Sequence, residues 1–386
     1  MKATVTTIRI VVGVLFTLSG LVKANDPLGL SYKMQEFFEV WNSSLAVSSF
    51  PIRNGLIRFL TFSNAHALFL SITMIVLEIM AGVALLVGWQ KRFVLTLLGV
   101  LILFFTFLTG YAYASGKFKN CGCFGDCLPI TPLTSFLKDI VLLVLIAVLW
   151  FGRNYIQPLQ PKRTQWVTLG FFLLLSIGWQ WFVLSYLPVA DCLPFKKGAS
   201  IPQGMKTPVG AVPDSFAIQF IYEKDGMRHA FFPEDLPADL ATYKFVDRTD
   251  KLVRKGNAEP PIRGFALTGV TDTDSTNAVL EAPHAVLYFY ETRGNVPQAI
   301  AENLQLIYRE AAARNIPVYI VSTSLNGKEQ LRAALPELPF FKVDFTAYRT
   351  AARTNPTIYV LQKGIIVDKR SRLQTNSILK TLQSLR

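Results

Sequence analysis

The sequence predicts a multi-domain protein in which an α-helical transmembrane bundle precedes a soluble β-rich module and a soluble α/β domain. Of its 386 residues, 51% are hydrophobic and 17% are charged, whereas soluble proteins average about 25% charged residues. Residues 1–188 contain the long apolar runs and hold 14 basic and 6 acidic side chains. The second half instead alternates short strand and helix patterns. This composition excludes a disordered chain and argues against an ordinary soluble enzyme.

Five apolar stretches have the roughly 20 residues that a helix needs to cross a bilayer core. They are residues 5–22, 66–89, 93–114, 136–152 and 166–187. One set of helix ends carries basic residues and no acid, namely Lys2, Arg9, Lys91, Arg92, Arg153, Lys162 and Arg163. The positive-inside rule therefore predicts a cytoplasmic N-terminus and an external C-terminal half, which in a Gram-negative envelope is the periplasm.

Two N-terminal segments each allow two interpretations. The first span has basic residues, an apolar run and a Val22-Lys23-Ala24 end, which also fits a cleavable signal peptide. Residues 24–64 mix aromatic and charged side chains. They are predicted to form either an external amphipathic helix on the membrane surface or a lid packed over the bundle.

The four cysteines all fall on the predicted external side. Cys121, Cys123 and Cys127 lie between the third and fourth spans, and Cys192 follows the fifth. A Cys121–Cys123 disulfide would close a small, strained and easily reduced ring, as catalytic disulfides do. A Cys127–Cys192 disulfide would tie two loops together. The sequence leaves open structural disulfides, a thiol–disulfide exchange site and a four-cysteine metal site; the Cys-x-Cys spacing is tighter than a usual zinc knuckle, and no metal is expected.

Ionisable residues in the spans are further candidates for function. Glu78 lies near the middle of the second span, where a charged carboxyl is costly and is expected to face the bundle interior. It is a candidate for a proton relay, a hydrogen bond to a quinone head or a helix–helix hydrogen bond. Lys138 and Asp139 open the fourth span beside the cysteines. Lys138 would favour a thiolate, while Asp139 at a helix start also fits a helix-dipole role.

The first soluble segments are predicted to be a linker and a small sheet. Residues 188–213 are rich in Pro and Gly, as a linker would be. Strands at 215–222 and 227–232 flank a Glu-Lys-Asp-Gly hairpin turn. A third strand at 242–253 completes a β-rich module at 214–262.

The last part alternates strands and helices. The strands are predicted at 285–290, 316–322, 341–343, 357–361 and 365–368, and the helices at 297–314, 327–335 and 377–385. This order resembles the thioredoxin fold, which implies that Pro356 follows a cis peptide bond. Where thioredoxins carry Cys-x-x-Cys this chain reads Glu291-Thr-Arg-Gly-Asn-Val-Pro, and no cysteine follows Cys192. The resemblance therefore implies a binding or docking domain without dithiol chemistry of its own.

An ordered set of residues in the membrane half resembles a known family. The set is Arg9, Gly13, Phe16, Ser19, Gly20, Lys23, Asp26, Pro27, Glu78, Gly82, Gly88, Cys121-Gly-Cys-Phe-Gly, Lys138 and Asp139. It is similar to DoxX/DoxD-like membrane proteins, above all the MauE-like branch, over roughly 5–152. The resemblance implies a four-helix bundle with Cys121 and Cys123 as the redox pair and Glu78 inside. Cys127, Cys192 and the fifth span lie outside this pattern, and the whole architecture resembles DoxX proteins of Bacteroidetes with a C-terminal soluble domain.

The resemblance implies functions in thiol chemistry. MauE-like proteins are implicated in disulfide maturation of periplasmic proteins, and DoxD-like proteins in passing electrons from sulfur compounds to quinone. The sequence thus predicts an inner-membrane thiol–disulfide electron-transfer protein with no covalent cofactor, a membrane quinone as acceptor and a periplasmic client at the thioredoxin-like domain. The alternative is a non-catalytic scaffold of an envelope complex with structural disulfides. The net charge of +13 is spread over helix ends and mixed surfaces, so a bilayer and no nucleic acid is the expected partner.

The expected domain boundaries follow from these assignments. They are a DoxX/MauE-like bundle at 1–152, a cytoplasmic loop and fifth span at 153–187, a linker at 188–213, the β-rich module at 214–262 and the thioredoxin-like domain at 263–386.

Overall fold

The protein consists of a helical bundle, a small sheet and an α/β domain in the computed structural model. The described residues are 2–46, 51–116, 118, 125, 127, 130–213, 215–224, 226–254, 256, 258–291, 296–324 and 338–385. Three predictions lie outside them, namely the redox cysteines Cys121 and Cys123 and the helix at 327–335.

Seven helices build the first half of the described chain. They are α1 (Lys2–Ala24), α2 (Pro27–Ala46), α3 (Arg53–Ala65), α4 (Ala67–Val87), α5 (Lys91–Ser115), α6 (Pro132–Phe151) and α7 (Lys162–Tyr186). All except α2 and α3 are long and apolar enough to cross a membrane. The five predicted spans are therefore confirmed, with ends that shift by no more than four residues.

Helices α1 and α4 approach so closely that glycine is required where they cross. A Cβ atom on Gly82 would lie 2.8 Å from the carbonyl oxygen of Gly13, and one on Gly20 would lie 2.6 Å from Ile79 Cγ1. Small residues permit such close approach in membranes, where van der Waals packing drives helix association. The glycines of the family-like pattern therefore serve helix packing.

Arg9 satisfies carbonyl groups at the end of α4. Its Nε donates to Leu85 O at 2.8 Å, and its Nη1 donates to Gln157 O at 2.8 Å. Helix ends leave carbonyls without intrahelical partners, so a cation is favourable there. Gly88 ends the helix with φ 75°, and a Cβ on it would lie 2.8 Å from Gln157 O. Arg9 is buried and links three segments rather than facing headgroups.

The segment expected to be one amphipathic helix forms two helices, α2 and α3. Helix α2 packs over the start of α4, where Ser71 Oγ donates to Pro27 O at 2.7 Å. Its Phe37 is buried and stacks on Phe118 with ring centroids 4.1 Å apart. Helix α3 instead exposes Phe59. The lid interpretation thus fits α2, and the surface-helix interpretation fits α3.

The C-terminal domain contains a five-stranded mixed sheet. Its strands are β4 (His284–Phe289), β5 (Val318–Ser322), β6 (Phe340–Lys342), β7 (Thr357–Gln362) and β8 (Ile365–Ser371), in the spatial order β6-β5-β4-β7-β8. Strands β4, β5 and β6 run parallel, and β7 pairs antiparallel with both β4 and β8. The Asn355–Pro356 bond before β7 is cis, the isomer that the sequence predicts. Strand order and cis proline together define a thioredoxin-like fold.

Helices cover both faces of this sheet. They are α8 (Ile201–Gly204), α9 (Thr276–Glu281), α10 (Gln298–Ala312), α11 (Phe345–Ala351) and α12 (Thr375–Ser384). Leu304 of α10 and Leu382 of α12 are buried in one core layer, and Leu280 and Ala347 are buried in the other. Helices α9 and α11 were not predicted because they are short. The carboxylate of Asp344 caps the start of α11, but an Asp side chain is equally typical of a local turn.

The segment expected to be a linker is part of the thioredoxin-like domain. Phe195 and Ile201 are fully buried in its core, and Ser200 bridges to Ile365 of β8. Ile262 is buried in the same core. The linker prediction was wrong because it rested on Pro and Gly content, which says nothing about the few apolar residues of the segment that pack into the core. The β-rich module is therefore an insertion within this domain rather than a unit before it.

The inserted module is a three-stranded antiparallel sheet. Its strands are β1 (Ser215–Lys224), β2 (Met227–Phe231) and β3 (Lys244–Arg254), in the order β2-β1-β3. The predicted hairpin is confirmed in the pairing of Lys224 with Met227. None of its described side chains is buried.

Candidate functional site

A buried ion pair joins α1 to α4 inside the bundle. Lys23 Nζ lies 2.7 Å from Glu78 Oε2 and 2.9 Å from Oε1. The two side chains are 2% and 3% exposed, and the ammonium also lies over the Phe105 ring, 4.4 Å from its centroid. A carboxylate in a membrane helix is expensive unless it is paired. Lys23 therefore explains how Glu78 is accommodated.

A second buried carboxylate lies on the other side of the same interior. Asp139 Oδ2 accepts a hydrogen bond from Thr109 Oγ1 at 3.0 Å, and Lys138 Nζ lies 2.8 Å from Asp139 Oδ1. Asp139 is fully buried, whereas the Lys138 side chain is 29% exposed. Asp139 thus does more than complement the dipole of α6, because its partner on α5 fixes it in the bundle interior.

These polar groups border a common cavity of about 30 Å³. Its lining residues are Leu15, Phe16, Ser19, Lys23, Glu78, Ile102, Phe105, Lys138, Asp139 and Leu142. A cavity needs about 10–15 Å³ for each water it holds, so this volume is suited to water and is too small for a quinone ring. The structure brings together three of the predicted residues, Glu78, Lys138 and Asp139, and adds Lys23.

Described residues on either side of Cys121 and Cys123 lie at the end of the bundle where the thioredoxin-like domain lies, the domain-side end. A disulfide joins Cys127 to Cys192, with Cα atoms 4.9 Å apart. Phe118, before the predicted redox cysteines, is held in the aromatic cluster of α2. A Cβ on Gly125, after them, would lie 3.8 Å from Val22 Cγ1. Val22 lies on α1 beside Lys23, so Gly125 is close to a helix that borders the cavity.

The same end of the bundle carries the start of the thioredoxin-like domain. Asn25 Oδ1 accepts hydrogen bonds from the backbone amides of Val189 and Ala190, and its Nδ2 donates to Ala190 O at 2.8 Å. Two residues later, Cys192 forms its disulfide. The end of α1, the cysteine loop and the chain leaving α7 are therefore connected. Among the described residues, no cluster of three His, Cys, Asp or Glu side chains suits a metal ion.

The cis-proline site of the thioredoxin-like domain is occupied by polar contacts of its own. Asn355 Nδ2 donates to Glu291 O at 2.8 Å, and Asn355 Oδ1 accepts from Glu291 N at 2.9 Å. The Glu291 carboxylate accepts from Thr323 N at 3.0 Å and from Thr323 Oγ1 at 2.8 Å. Glu291, the first residue of the segment that replaces Cys-x-x-Cys, therefore stabilises the end of β5.

This site faces α2 across a cavity of about 220 Å³. Arg353 Nε lies 2.7 Å from Asp26 Oδ2, and the two side chains are 5% and 14% exposed. Arg349 stacks over Tyr32 of α2, 4.7 Å from the ring centroid. Burial lowers the pKa of Arg349, and the nearby charges of Glu39, Tyr32 and Glu36 act in the opposite direction. The cis-proline side of the domain thus lies against the membrane half.

Sequence reasoning missed the partners that complete these sites. Lys23 occurs on the motif-bearing face of α1, three residues after Gly20, and that helical spacing was the signal that it points inward. Thr109 and Arg353 gave no comparable signal, because their partners lie on distant elements. A second ion pair, Lys369 with Asp191 at 2.7 Å, could not be predicted for the same reason.

The geometry defines a class of protein, a membrane helical bundle with a cysteine loop beside a thioredoxin-like domain, and comparisons with known proteins agree with this description. The family model described as methylamine utilisation protein MauE matches residues 1–152. A domain of unknown function, DUF8463, matches residues 216–255, the inserted sheet. Protein TlpB of Flavobacterium psychrophilum is 27% identical over 180 residues, which cover 45% of this chain and 42% of TlpB. The chain therefore matches less than half the length of this relative.

Two solved structures resemble about a third of the chain. A thiol:disulfide interchange protein from Bacteroides sp. is 14% identical with a TM-score of 0.26, covering 32% of this chain and 88% of that protein. BsSco, a member of the Sco family of cytochrome c oxidase assembly proteins, is 12% identical with a TM-score of 0.25, covering 32% and 91%. Scores this low add nothing to the fold assignment, which rests on strand order and the cis proline.

Proposed function

We propose that this protein exchanges thiols and disulfides at a membrane surface, with Cys121 and Cys123 as the reacting pair. The observation that carries the proposal is that described residues on both sides of this pair lie at the domain-side end of the bundle. A disulfide joins Cys127 to Cys192 after α7, and Phe118 packs in the aromatic cluster with Phe37 of α2. The match of the bundle to the MauE family and of the chain to TlpB supports the same chemistry.

The reaction transfers two electrons between two pairs of sulfur atoms. A client thiolate attacks the Cys121–Cys123 disulfide, forming a mixed disulfide and releasing one thiolate on this protein. The second client thiolate attacks the mixed disulfide, so that the client leaves oxidised and Cys121 and Cys123 are left reduced. Attack by these two thiolates on a partner disulfide reverses the sequence. The two thiols gain two protons when the pair is reduced and lose them when it is oxidised.

The polar cavity is suited to moving those protons. Glu78 and Asp139 are carboxylates that border a space with room for water, and water can relay protons between such groups. Lys138 extends from Asp139 toward the bundle surface, since its side chain is 29% exposed. We infer that protons reach the loop by this route. The expectation of a quinone beside Glu78 is not supported by the cavity volume, and no step of the proposal depends on one.

The same proposal assigns an orientation. The basic ends of the bundle carry Lys91, Arg153 and Lys162 and lie opposite the domain-side end. The positive-inside rule then places the cysteine loop and the thioredoxin-like domain outside an inner membrane, in the periplasm of a Gram-negative cell. That compartment is oxidising and suits a disulfide such as Cys127–Cys192.

A second candidate function is a non-catalytic scaffold of an envelope complex. The observation that favours it is the contact of the cis-proline side with α2, where Arg353 pairs with Asp26. That side is where a client of an active thioredoxin-like domain would bind, and here it meets the protein's own membrane half. On this view the cysteines only stabilise the loop.

Alkylation trapping of the thiols in native membranes, followed by mass spectrometry, tests the proposal. We expect Cys121 and Cys123 to be partly reduced and to become fully reduced in a mild dithiol that leaves Cys127–Cys192 intact. Cys121→Ser should abolish exchange with a reduced client protein. Both pairs resisting the mild dithiol, or equal exchange by Cys121→Ser and the wild type, would establish the scaffold instead.

A further inference from the structure

A third cavity lies between the end of α7 and the thioredoxin-like domain. Its volume is about 270 Å³. One wall is apolar and consists of Phe182, Tyr186, Leu187, Pro188 and Val189. The other wall is polar and consists of Asp191, Lys197, Lys369, Arg370 and Gln374. A space with one apolar and one cationic wall is suited to an amphiphile with an anionic head.

The cations of the polar wall outnumber the carboxylates that pair with them. Lys369 Nζ pairs with Asp191 at 2.7 Å. Asp368, buried behind the wall, lies 3.0 Å from Arg370 Nε and 3.4 Å from Lys197 Nζ. Three basic groups thus share two carboxylates, which leaves one surplus positive charge. Lys197 carries it, because its contact with Asp368 is the longest and its side chain is 62% exposed.

The cavity lies at the level where lipid headgroups would be. The last turns of α7 expose Trp179 and Trp181, and the helix ends at Tyr186. Trp and Tyr are enriched where membrane helices meet the headgroup region. Helix α7 also contacts β8 and the short turn after it, so the cationic wall lies directly above the lipid-facing end of this span.

We propose that this cavity binds the phosphate-bearing headgroup of an anionic phospholipid, whose acyl chains lie along the exposed face of α7. The shared chemistry is that of a phosphate anion held by Lys197 and Arg370. A free phosphate would use only the cationic wall. A lipid also uses the aromatic wall, for which a free anion has no need. The volume is near the lower limit of small-molecule pockets and so suits a headgroup rather than a whole lipid.

The test compares lipid binding by the full-length protein and two neighbouring lysine variants. The protein is reconstituted in nanodiscs of phosphatidylcholine with or without phosphatidylglycerol, and the lipid retained after extraction is counted by native mass spectrometry. We expect retained phosphatidylglycerol, and Lys197→Gln should weaken its binding about fivefold, the effect of one basic group near a membrane surface. Lys196→Gln, the matched control, removes an exposed charge that does not line the cavity and should leave binding unchanged.

Two further measurements separate the sources of the phosphate. A photoactivatable phosphatidylglycerol should cross-link to peptides that contain Tyr186, and millimolar inorganic phosphate should not displace it. Binding of inorganic phosphate alone at the same site, or displacement by it, would show that the site takes a free anion. Equal retention of phosphatidylcholine and phosphatidylglycerol, or equal effects of the two lysine variants, would overturn the proposal.

Discussion

The transmembrane bundle and the thioredoxin-like domain both bury charged side chains, but they do so in different places. The bundle buries Lys23, Glu78 and Asp139 around its internal cavity. In the domain, the buried cations Arg353 and Lys369 pair with Asp26 and Asp191 of the preceding membrane-side segments. The buried carboxylate of Asp368 pairs with Lys197 and Arg370.

This difference indicates how the two regions divide their work. Buried charge is costly, so its location marks where the protein needs it. In the bundle, apart from Arg9 at the end of α4, that location is the interior cavity lined by Lys23, Glu78 and Asp139. In the domain it is the junction with the bundle, and the cis-proline site carries Glu291 in place of a cysteine. We infer that the bundle holds the chemistry and that the domain's charges set its position.

The largest expected effect is on the bundle's own ion pair. Glu78→Gln leaves the Lys23 ammonium buried without a counter-charge, because the two groups are 2.7 Å apart and almost completely inaccessible. We expect the free energy of unfolding to fall by about 3–5 kcal/mol. Thermal or denaturant unfolding of the purified protein in detergent measures this loss.

The matched control for that prediction removes both charges at once. Replacing a buried pair by apolar residues of similar size is often neutral, so the double variant Lys23→Met/Glu78→Leu should recover most of the stability. Thiol exchange should stay impaired in the stable double variant, since the proton route is lost. Full activity in the double variant would show that the pair serves only helix packing.

A smaller effect is expected at the junction. Arg353→Gln removes the ion pair with Asp26, whose Oδ1 still accepts a hydrogen bond from Gly29 N at 3.0 Å. We expect the free energy that holds the domain against the bundle to become less favourable by about 2 kcal/mol, the contribution of a hydrogen bond between charged groups. The domain itself should stay folded, because Arg353 lies outside its apolar layers.

Hydrogen exchange measured by mass spectrometry distinguishes weaker contact between domain and bundle from unfolding of the domain itself. Amides of α2 and of residues 349–355 should exchange faster in Arg353→Gln, while those of β4 and β7 should not change. Arg314→Gln removes a half-exposed pair with Glu310 on α10 and should change stability by about 0.5 kcal/mol or less. If the two arginine variants behave alike, Arg353 does not hold the domain in place.

The comparison also shows what the sequence predicts well. The five spans and the order of strands in the C-terminal domain follow from hydrophobic periodicity, which acts over neighbouring residues. The cis bond at Pro356 follows from the fold pattern. Contacts such as Lys23 with Glu78 and Arg353 with Asp26 join residues 55 and 327 positions apart, and periodicity carries no information about such pairs. Phe195 was missed because it lies in a short apolar stretch within a segment rich in Pro and Gly.

The smallest effect expected in the bundle tests whether its buried polar groups contribute to stability mainly through charge or through hydrogen bonds in general. Thr109→Val removes the hydroxyl that donates to Asp139 Oδ2 at 3.0 Å while keeping the side-chain shape. The hydroxyl has one proton and two further acceptors in reach, Phe105 O at 2.9 Å and Thr106 O at 3.2 Å. Hydrogen bonds between membrane helices are worth about 0.6 kcal/mol on average, so we expect a loss of this size in detergent unfolding. A loss as large as that of Glu78→Gln would mean that Thr109, rather than Lys138, is what stabilises the charge on Asp139.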